Sequence, residues 1–286
     1  MELLELEKSS GAVLSLKPRQ SPENRSLQRG LAILLAFKPG STLLGNAELA
    51  ERVELPRSTV SRLTQTLVGM GMLQIEPHSR AYCLAPAVLT LAHAMRSGSS
   101  ILSVAAPLMR TCASSHKINV GLAAADGEEM VYLESIRYHP RPSLRSVVSG
   151  QRVPIALTSL GRAYLAGISR AEQRLLFIRL NQSNLKHANP GRWRDLKTSI
   201  QEAILQVEQF GFCATSWQPE VVAIATPLTY QDKVYALNIS VSTKESLSST
   251  ARELSPVLLE LQGILLGELG STSACNALVS GVKLTL

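Results

Sequence analysis

Aromatic residues make up only 4% of the 286-residue chain, so its core must be built mainly from Leu, Val, Ile and Ala. No apolar run approaches the roughly 18 residues that a membrane-crossing helix requires. The first twenty residues carry Glu2, Glu5 and Glu7 and lack a basic segment followed by an apolar one, so no secretory signal is expected. Cysteine is scarce. Cys83, Cys112, Cys213 and Cys275 lie far apart, and no Cys-x-x-Cys occurs. That spacing suits reduced thiols in a cytoplasmic protein better than a disulfide framework or a zinc site. The five histidines share no metal-binding spacing, and Gly-x-Ser-x-Gly, Gly-x-x-x-x-Gly-Lys and His-Glu-x-x-His are all missing. No catalytic residue, metal or cofactor is therefore expected, and the chain reads as a non-enzyme.

Hydrophobic residues at 45% and charged residues at 18% fit a globular chain with a sizeable core. The length suits two domains, at about 150 residues each. The formal net charge is +7, which fits an anionic partner. The positive excess is denser near the N-terminus: ten basic and five acidic residues lie between positions 17 and 96, against eighteen and fourteen from 98 onward.

Residues 1–25 contain two prolines and clustered polar side chains, and read as a flexible tail. Leu27, Leu31, Leu34 and Leu35 share a helical face, which predicts a helix over 27–37. A short helix is expected at 47–53, with Asn46 as its N-cap. The next helix, 56–69, places Val60, Leu63, Leu67 and Met70 on one side. Its opposite side holds Ser58, Ser61, Arg62, Gln65 and Gly69, with no carboxylate. A face that must approach phosphates and base edges benefits from that absence. Strands at 72–76 and 80–84 follow, with a turn between them. Three helices and a β-hairpin in this order predict a winged helix-turn-helix, with the third helix as reader.

A helix opening at Pro86 leads to Ser97-Gly98-Ser99-Ser100, a linker. The expected layout is a DNA-binding domain at 26–85, a linker region at 86–100, an effector domain at 101–270 and a tail at 271–286. The second domain mixes strands at 119–125, 129–136, 143–148, 221–229 and 234–241 with helices at 158–166, 171–180, 192–209 and 250–268. Asp126-Gly127 marks a hairpin.

Several stretches then look familiar. Leu27-Gln28-Arg29-Gly30-Leu31-Ala32-Ile33-Leu34, Glu48-Leu49-Ala50 and Leu55-Pro56-Arg57-Ser58-Thr59-Val60-Ser61-Arg62-Leu63 resemble the IclR family of bacterial transcriptional regulators. So do Asp126-Gly127-Glu128-Glu129-Met130-Val131-Tyr132-Leu133, Gly150-Gln151-Arg152-Val153-Pro154 and Thr158-Ser159-Leu160-Gly161-Arg162-Ala163-Tyr164-Leu165-Ala166. Phe210-Gly211-Phe212, Ile224-Ala225-Thr226-Pro227 and Ser240-Val241-Ser242 follow in the matching order. Together they span about residues 26–269. The resemblance implies an α+β protein: a winged helix-turn-helix, a linker helix, and a GAF-like effector domain with an antiparallel sheet flanked by helices. It also implies a homodimer or dimer of dimers, a pseudo-palindromic double-stranded DNA operator and a small-molecule effector, often an organic acid.

The residues expected at DNA are Arg57, Ser58, Thr59, Ser61, Arg62, Gln65 and Arg80. Arg and Gln can make bidentate contacts with guanine and adenine edges. On the effector side, Ser159, Leu160 and Gly161 stand at a helix start whose amides can receive a carboxylate. Ser240 and Ser242 share a strand face. Thr215 and Ala223 stand where many family members carry an acidic residue and a cysteine lining the effector cavity, so the cavity here is expected to be less acidic and to take an organic anion. Leu144 and Val147 fall in a strand that family cavities use. The function expected is that of a ligand-responsive, sequence-specific regulator of a catabolic operon, with no membrane partner. The alternatives are a non-specific architectural DNA-binding protein and an enzyme with an appended winged helix.

Overall fold

The computed structural model describes residues 24–138, 148–187 and 190–281. The chain divides into two compact units, Met1–Ala92 and His93–Leu286.

In the first unit, α1 (Arg25–Leu35), α2 (Asn46–Arg52) and α3 (Arg57–Gly69) precede a hairpin of β1 (Leu73–Ile75) and β2 (Tyr82–Leu84). Asn24 caps α1 by accepting from the Ser26 and Leu27 amides, each at 3.1 Å. The N-cap of α2 is Gly45, not the expected Asn46, and the Glu48 carboxylate reaches back to the Gly45 amide at 2.9 Å. Asn46 instead donates to the Arg57 carbonyl at 3.1 Å, which ties α2 to the start of α3. Ile33, Leu44, Leu49, Val60 and Leu73 form the core.

Two sequence expectations need correcting here. Met70 is 68% exposed, because α3 ends at Gly69 and helical spacing no longer applies beyond it. The fully buried positions on α3 are Val60 and Thr64, and the Thr64 hydroxyl is satisfied by the Val60 and Ser61 carbonyls at 3.0 Å. On α1, Leu27, Leu31 and Leu35 are exposed, whereas Ile33 is buried and Leu34 packs against the core. The helix carries apolar residues on two sides, and the core of this unit takes only one of them.

Helix α4 (Ala87–Ser97) leads into the second unit. There α5 (Ser100–His116) precedes β3 (Asn119–Asp126), β4 (Glu129–Ile136) and β5 (Arg152–Pro154). Three helices follow: α6 (Ser159–Gly167), α7 (Arg170–His187) and α8 (Pro190–Phe210). The chain closes with β6 (Cys213–Thr215), β7 (Val221–Tyr230), β8 (Lys233–Ser242) and α9 (Leu247–Gly281). The strands form one antiparallel sheet in the order β5-β4-β3-β8-β7-β6.

Strand alternation sends Val120, Leu122, Ile224, Leu237 and Ile239 to one face, against Met109 of α5 and Leu258 and Leu265 of α9. Ala123, Met130, Ala225 and Ala236 face the other way, against Leu160 and Ala163 of α6, Leu176 of α7 and Ile200 and Ile204 of α8. The β7–β8 hairpin closes through Gln231 and Asp232, both at positive φ, the backbone of a type I′ turn whose twist matches that of the strands.

Helix α5 has no counterpart among the expectations. The linker serine Ser99 is its N-cap and accepts from the Leu102 amide at 3.4 Å. The short β5 and β6 were likewise not expected, and α9 stays helical to Gly281, past the tail expected from 271. The strand expected at 143–148 lies outside the described residues apart from Val148, and Leu144 and Val147 lie outside them altogether.

Candidate functional site

The first unit presents α3 as its polar face. Arg57, Ser58, Arg62 and Gln65 are exposed, whereas Thr59 and Ser61 are half-buried. No ion pair among the described residues engages Arg57, Arg62 or Arg80. Pro56 at the helix start supplies no N–H, which costs nothing at a helix N-terminus, where amides have no intrahelical partner. Arg80 occupies a left-handed backbone position in the β1–β2 loop, at φ 55°. That loop is shaped by Glu76, whose carboxylate accepts from the Ser79 amide at 2.6 Å and the Ser79 hydroxyl at 2.7 Å. These bonds hold the Glu76 carboxyl below its ordinary pKa. Arg80 is thus exposed at the tip of a hairpin that its own residues organise.

The second unit contains a cavity of about 170 Å³ between the sheet and the start of α6. Register builds its floor. Asn119, Ser240, Ala223 and Thr215 stand opposite one another across β3, β8, β7 and β6. One step along, Gly121, Asn238, Ala225 and Cys213 form the next row. Gly121 is needed there, because a Cβ would stand 2.4 Å from Asn238 Oδ1 and 2.5 Å from the Tyr132 ring. Burial raises the pKa of the Tyr132 phenol strongly, and the adjacent Asn238 amide offsets part of that rise.

The start of α6 forms the roof. Thr158 is its N-cap, and its hydroxyl accepts from the Gly161 amide at 3.2 Å. Ser159 and Leu160 line the cavity, and their amides stand in the first turn, where no intrahelical carbonyl can reach them. The Cys213 thiol donates to the Ser159 carbonyl at 3.5 Å, which sets the helix start over β6. Burial pushes that thiol up to about 12. Behind the helix, Arg162 donates to the Ala156 carbonyl at 3.1 Å, and burial lowers its pKa. Arg137 and Glu220 are the charged side chains among the cavity's described lining residues.

Six of the residues expected on the effector side therefore share this one cavity: Ser159, Leu160, Thr215, Ala223, Ser240 and Ser242. Gly161 is the correction. It does not line the cavity, its amide is taken by Thr158, and a Cβ on it would lie 2.1 Å from the Ile155 carbonyl oxygen. It is a close-packing position between helix and backbone. Sequence reading missed Tyr132, Asn238 and Arg137. The signal for Asn238 was present, since Asn238, Ser240 and Ser242 alternate along one strand face.

Two buried groups in this cavity stand unpaired. Thr215 Oγ1 and Asn238 Oδ1 have no hydrogen-bond partner among the described residues, although these residues are only 7% and 4% exposed. Leaving such a group unpaired costs roughly 1–3 kcal/mol.

A helix-turn-helix with a wing, in one chain with an α+β unit that holds a small polar cavity, defines a DNA-binding transcriptional regulator. Comparison with known proteins gives the family. Residues 26–77 match the IclR helix-turn-helix domain, and residues 93–261 match the bacterial transcriptional regulator IclR C-terminal domain. The chain belongs to the IclR family. It is 33% identical to the HTH-type transcriptional regulator TsaQ1/TsaQ2 of Comamonas testosteroni, over 65% of this chain and 66% of that protein. It is 29% identical to the Pca regulon regulatory protein of Pseudomonas putida, over 82% of this chain and 80% of that one. Its fold matches the crystal structure of an IclR family transcriptional regulator from Brucella abortus. The TM-score is 0.77 at 29% identity, covering 91% of this chain and 99% of that one.

Proposed function

We propose that the chain binds a specific operator through α3 and answers to a small organic acid held in the cavity of the second unit. The observation that carries this reading is the polar cavity itself. Ser159, Thr215, Ser240 and Ser242 all line it, together with the first turn of a helix whose opening amides no intrahelical carbonyl can reach. Helix-start amides favour an anion, because their N–H groups and the helix dipole both point at it. A space near 170 Å³ suits a one-ring or short-chain acid, since an engineered cavity of about 150 Å³ takes up benzene.

Arg62 and Gln65 are positioned for base edges, with Ser58, Thr59 and Ser61 near them, and Arg57 and Arg80 for phosphates. Two copies related by two-fold symmetry would read half-sites about one helical turn apart. The exposed Leu27, Leu31 and Leu35 stripe on α1 supports association of copies, since such a stripe otherwise faces water. The effector acts by binding two arrangements of the protein with unequal affinity.

The test has two stages. A thermal-shift screen of organic acids on the full chain should find a stabilising acid. Gel-shift titrations of operator and random DNA, at one stated salt concentration, should then show preference for the operator and a change on adding that acid. Equal affinity for both DNAs would leave an architectural protein, and no stabilising acid would remove the organic-acid reading.

A further inference from the structure

We propose that the cavity selects an acid carrying a hydrogen-bond donor at the end remote from its carboxylate, a hydroxy or amino acid, and that Asn238 is the residue that reads this donor. The inference rests on the organic-acid reading above and deepens it.

Asn238 and Thr215 are each more than nine-tenths buried, line the same cavity and leave one polar atom unpartnered. The two atoms differ in what they require. Asn238 Oδ1 is a carbonyl oxygen and can only accept. A carboxylate oxygen also only accepts, so the two repel rather than pair. Thr215 Oγ1 can donate, and it can therefore meet a carboxylate.

Strand register sets these two positions well apart on the floor. Asn238 stands on β8 and pairs with Ala225 of β7, which pairs with Cys213 of β6. Thr215 lies two residues beyond Cys213 on the same strand. Two strand spacings and one two-residue step separate their Cα atoms by about 12 Å. One small group cannot satisfy both, so the occupant needs polar groups at two ends.

The start of α6 decides which end is which. The contact between the Cys213 thiol and the Ser159 carbonyl sets that helix start over β6, beside Thr215. The carboxylate therefore lies at the β6 end, between the Ser159 and Leu160 amides and the Thr215 hydroxyl. The donor lies at the β8 end, over Gly121, where the missing Cβ leaves Asn238 Oδ1 uncovered.

The test is calorimetry on the full chain with matched acids: 4-hydroxybenzoate, 4-methoxybenzoate and benzoate, and 3-hydroxybutyrate beside butyrate. In at least one series the hydroxy acid should bind about tenfold or more tightly than its partners, the methoxy compound included, because a site built to pair a hydroxyl rejects analogues that cannot donate. Asn238→Leu, of similar volume and without the acceptor, should bring that series to equal affinity. Acids that bind with no preference for the donor, or a preference that survives in folded Asn238→Leu, would overturn this inference while leaving the organic-acid reading in place. Binding by no acid would overturn both. The wild-type comparison decides the matter even if the variant fails to fold.

Discussion

The Arg96 guanidinium, in the last turn of α4, donates to the Glu134 carboxylate at 2.6 Å and to the neighbouring Leu133 carbonyl at 2.5 Å. Glu134 is buried and also accepts from the Ser135 amide at 3.1 Å and the Ser149 hydroxyl at 3.0 Å. Burial raises the Glu134 pKa, but these hydrogen bonds, with Arg96 foremost, outweigh it and hold the carboxyl below the usual glutamate value. The adjoining Ser135 lines the cavity. The last turn of α4 is thus tied to the strand that forms one cavity wall.

That pair gives a pH dependence with a definite sign. A carboxyl whose pKa is lower in the folded chain contributes stability that is fully present above the ordinary glutamate value. The contribution is lost as pH falls through the folded value. Glu134→Gln should reduce stability at neutral pH by roughly 1–3 kcal/mol, because it weakens charge-assisted bonds at a buried site. Its melting temperature should also fall less steeply than that of the wild type on acidification. Parallel pH curves would show that Glu134 is not the source.

On the reading helix, Arg62→Ala should weaken operator binding by roughly 1–3 kcal/mol, the worth of a bidentate base contact. Gln65→Ala should relax preference at a single operator position. Arg57→Ala and Arg80→Ala should weaken binding to all sequences alike and reduce the salt slope by about one. Gel-shift titrations against operator and random DNA separate these outcomes. Wild-type affinity in both Arg62→Ala and Gln65→Ala would move the interface off this face.

Ala223→Leu should fill the middle of the cavity floor from β7. The added methyl groups enter the open cavity, so folding stability should fall by no more than the roughly 1–3 kcal/mol of a small-to-large change. The variant should still bind operator but lose the shift caused by whichever acid the screen identifies. Calorimetry reads the loss directly, and unchanged acid affinity would place the ligand elsewhere.

The Cys213 thiol should be unreactive in the native protein. Burial raises its pKa to about 12, so almost no thiolate exists near neutrality, and the thiolate is the nucleophile. Mass spectrometry after iodoacetamide treatment should find Cys213 unmodified until denaturant is added. An added acid that fills the cavity should leave it equally protected. Rapid native labelling would contradict the burial.

Much of this protein was legible in its sequence, because the relevant physics is local. A 3.6-residue period marked α3, α8 and α9. Alternation with turn residues marked the β3–β4 and β7–β8 hairpins. Even the outward face of α3 followed from spacing alone, since Arg62 and Gln65 cannot share a side with Val60. Where a helix ended, local reasoning failed: Met70 kept its helical phase on paper and lost it in space. The seventeen residues of α5 carry serines and an internal Pro107, which hid a helix whose buried side becomes evident only against β3 and α9.

The cavity was decided by tertiary structure. Ser159, Thr215, Ala223 and Ser240 were each nameable, but pairing between strands far apart in sequence is what sets Asn119, Ser240, Ala223 and Thr215 in one row. Gly161 looked like a ligand-facing amide until Thr158 and Ile155 closed on it. Asn238 became a candidate reader only when burial left its Oδ1 with no hydrogen-bond partner among the described residues. Periodicity reports which way a side chain points from its own element. Register and burial report what it meets there, and those depend on residues a hundred positions away.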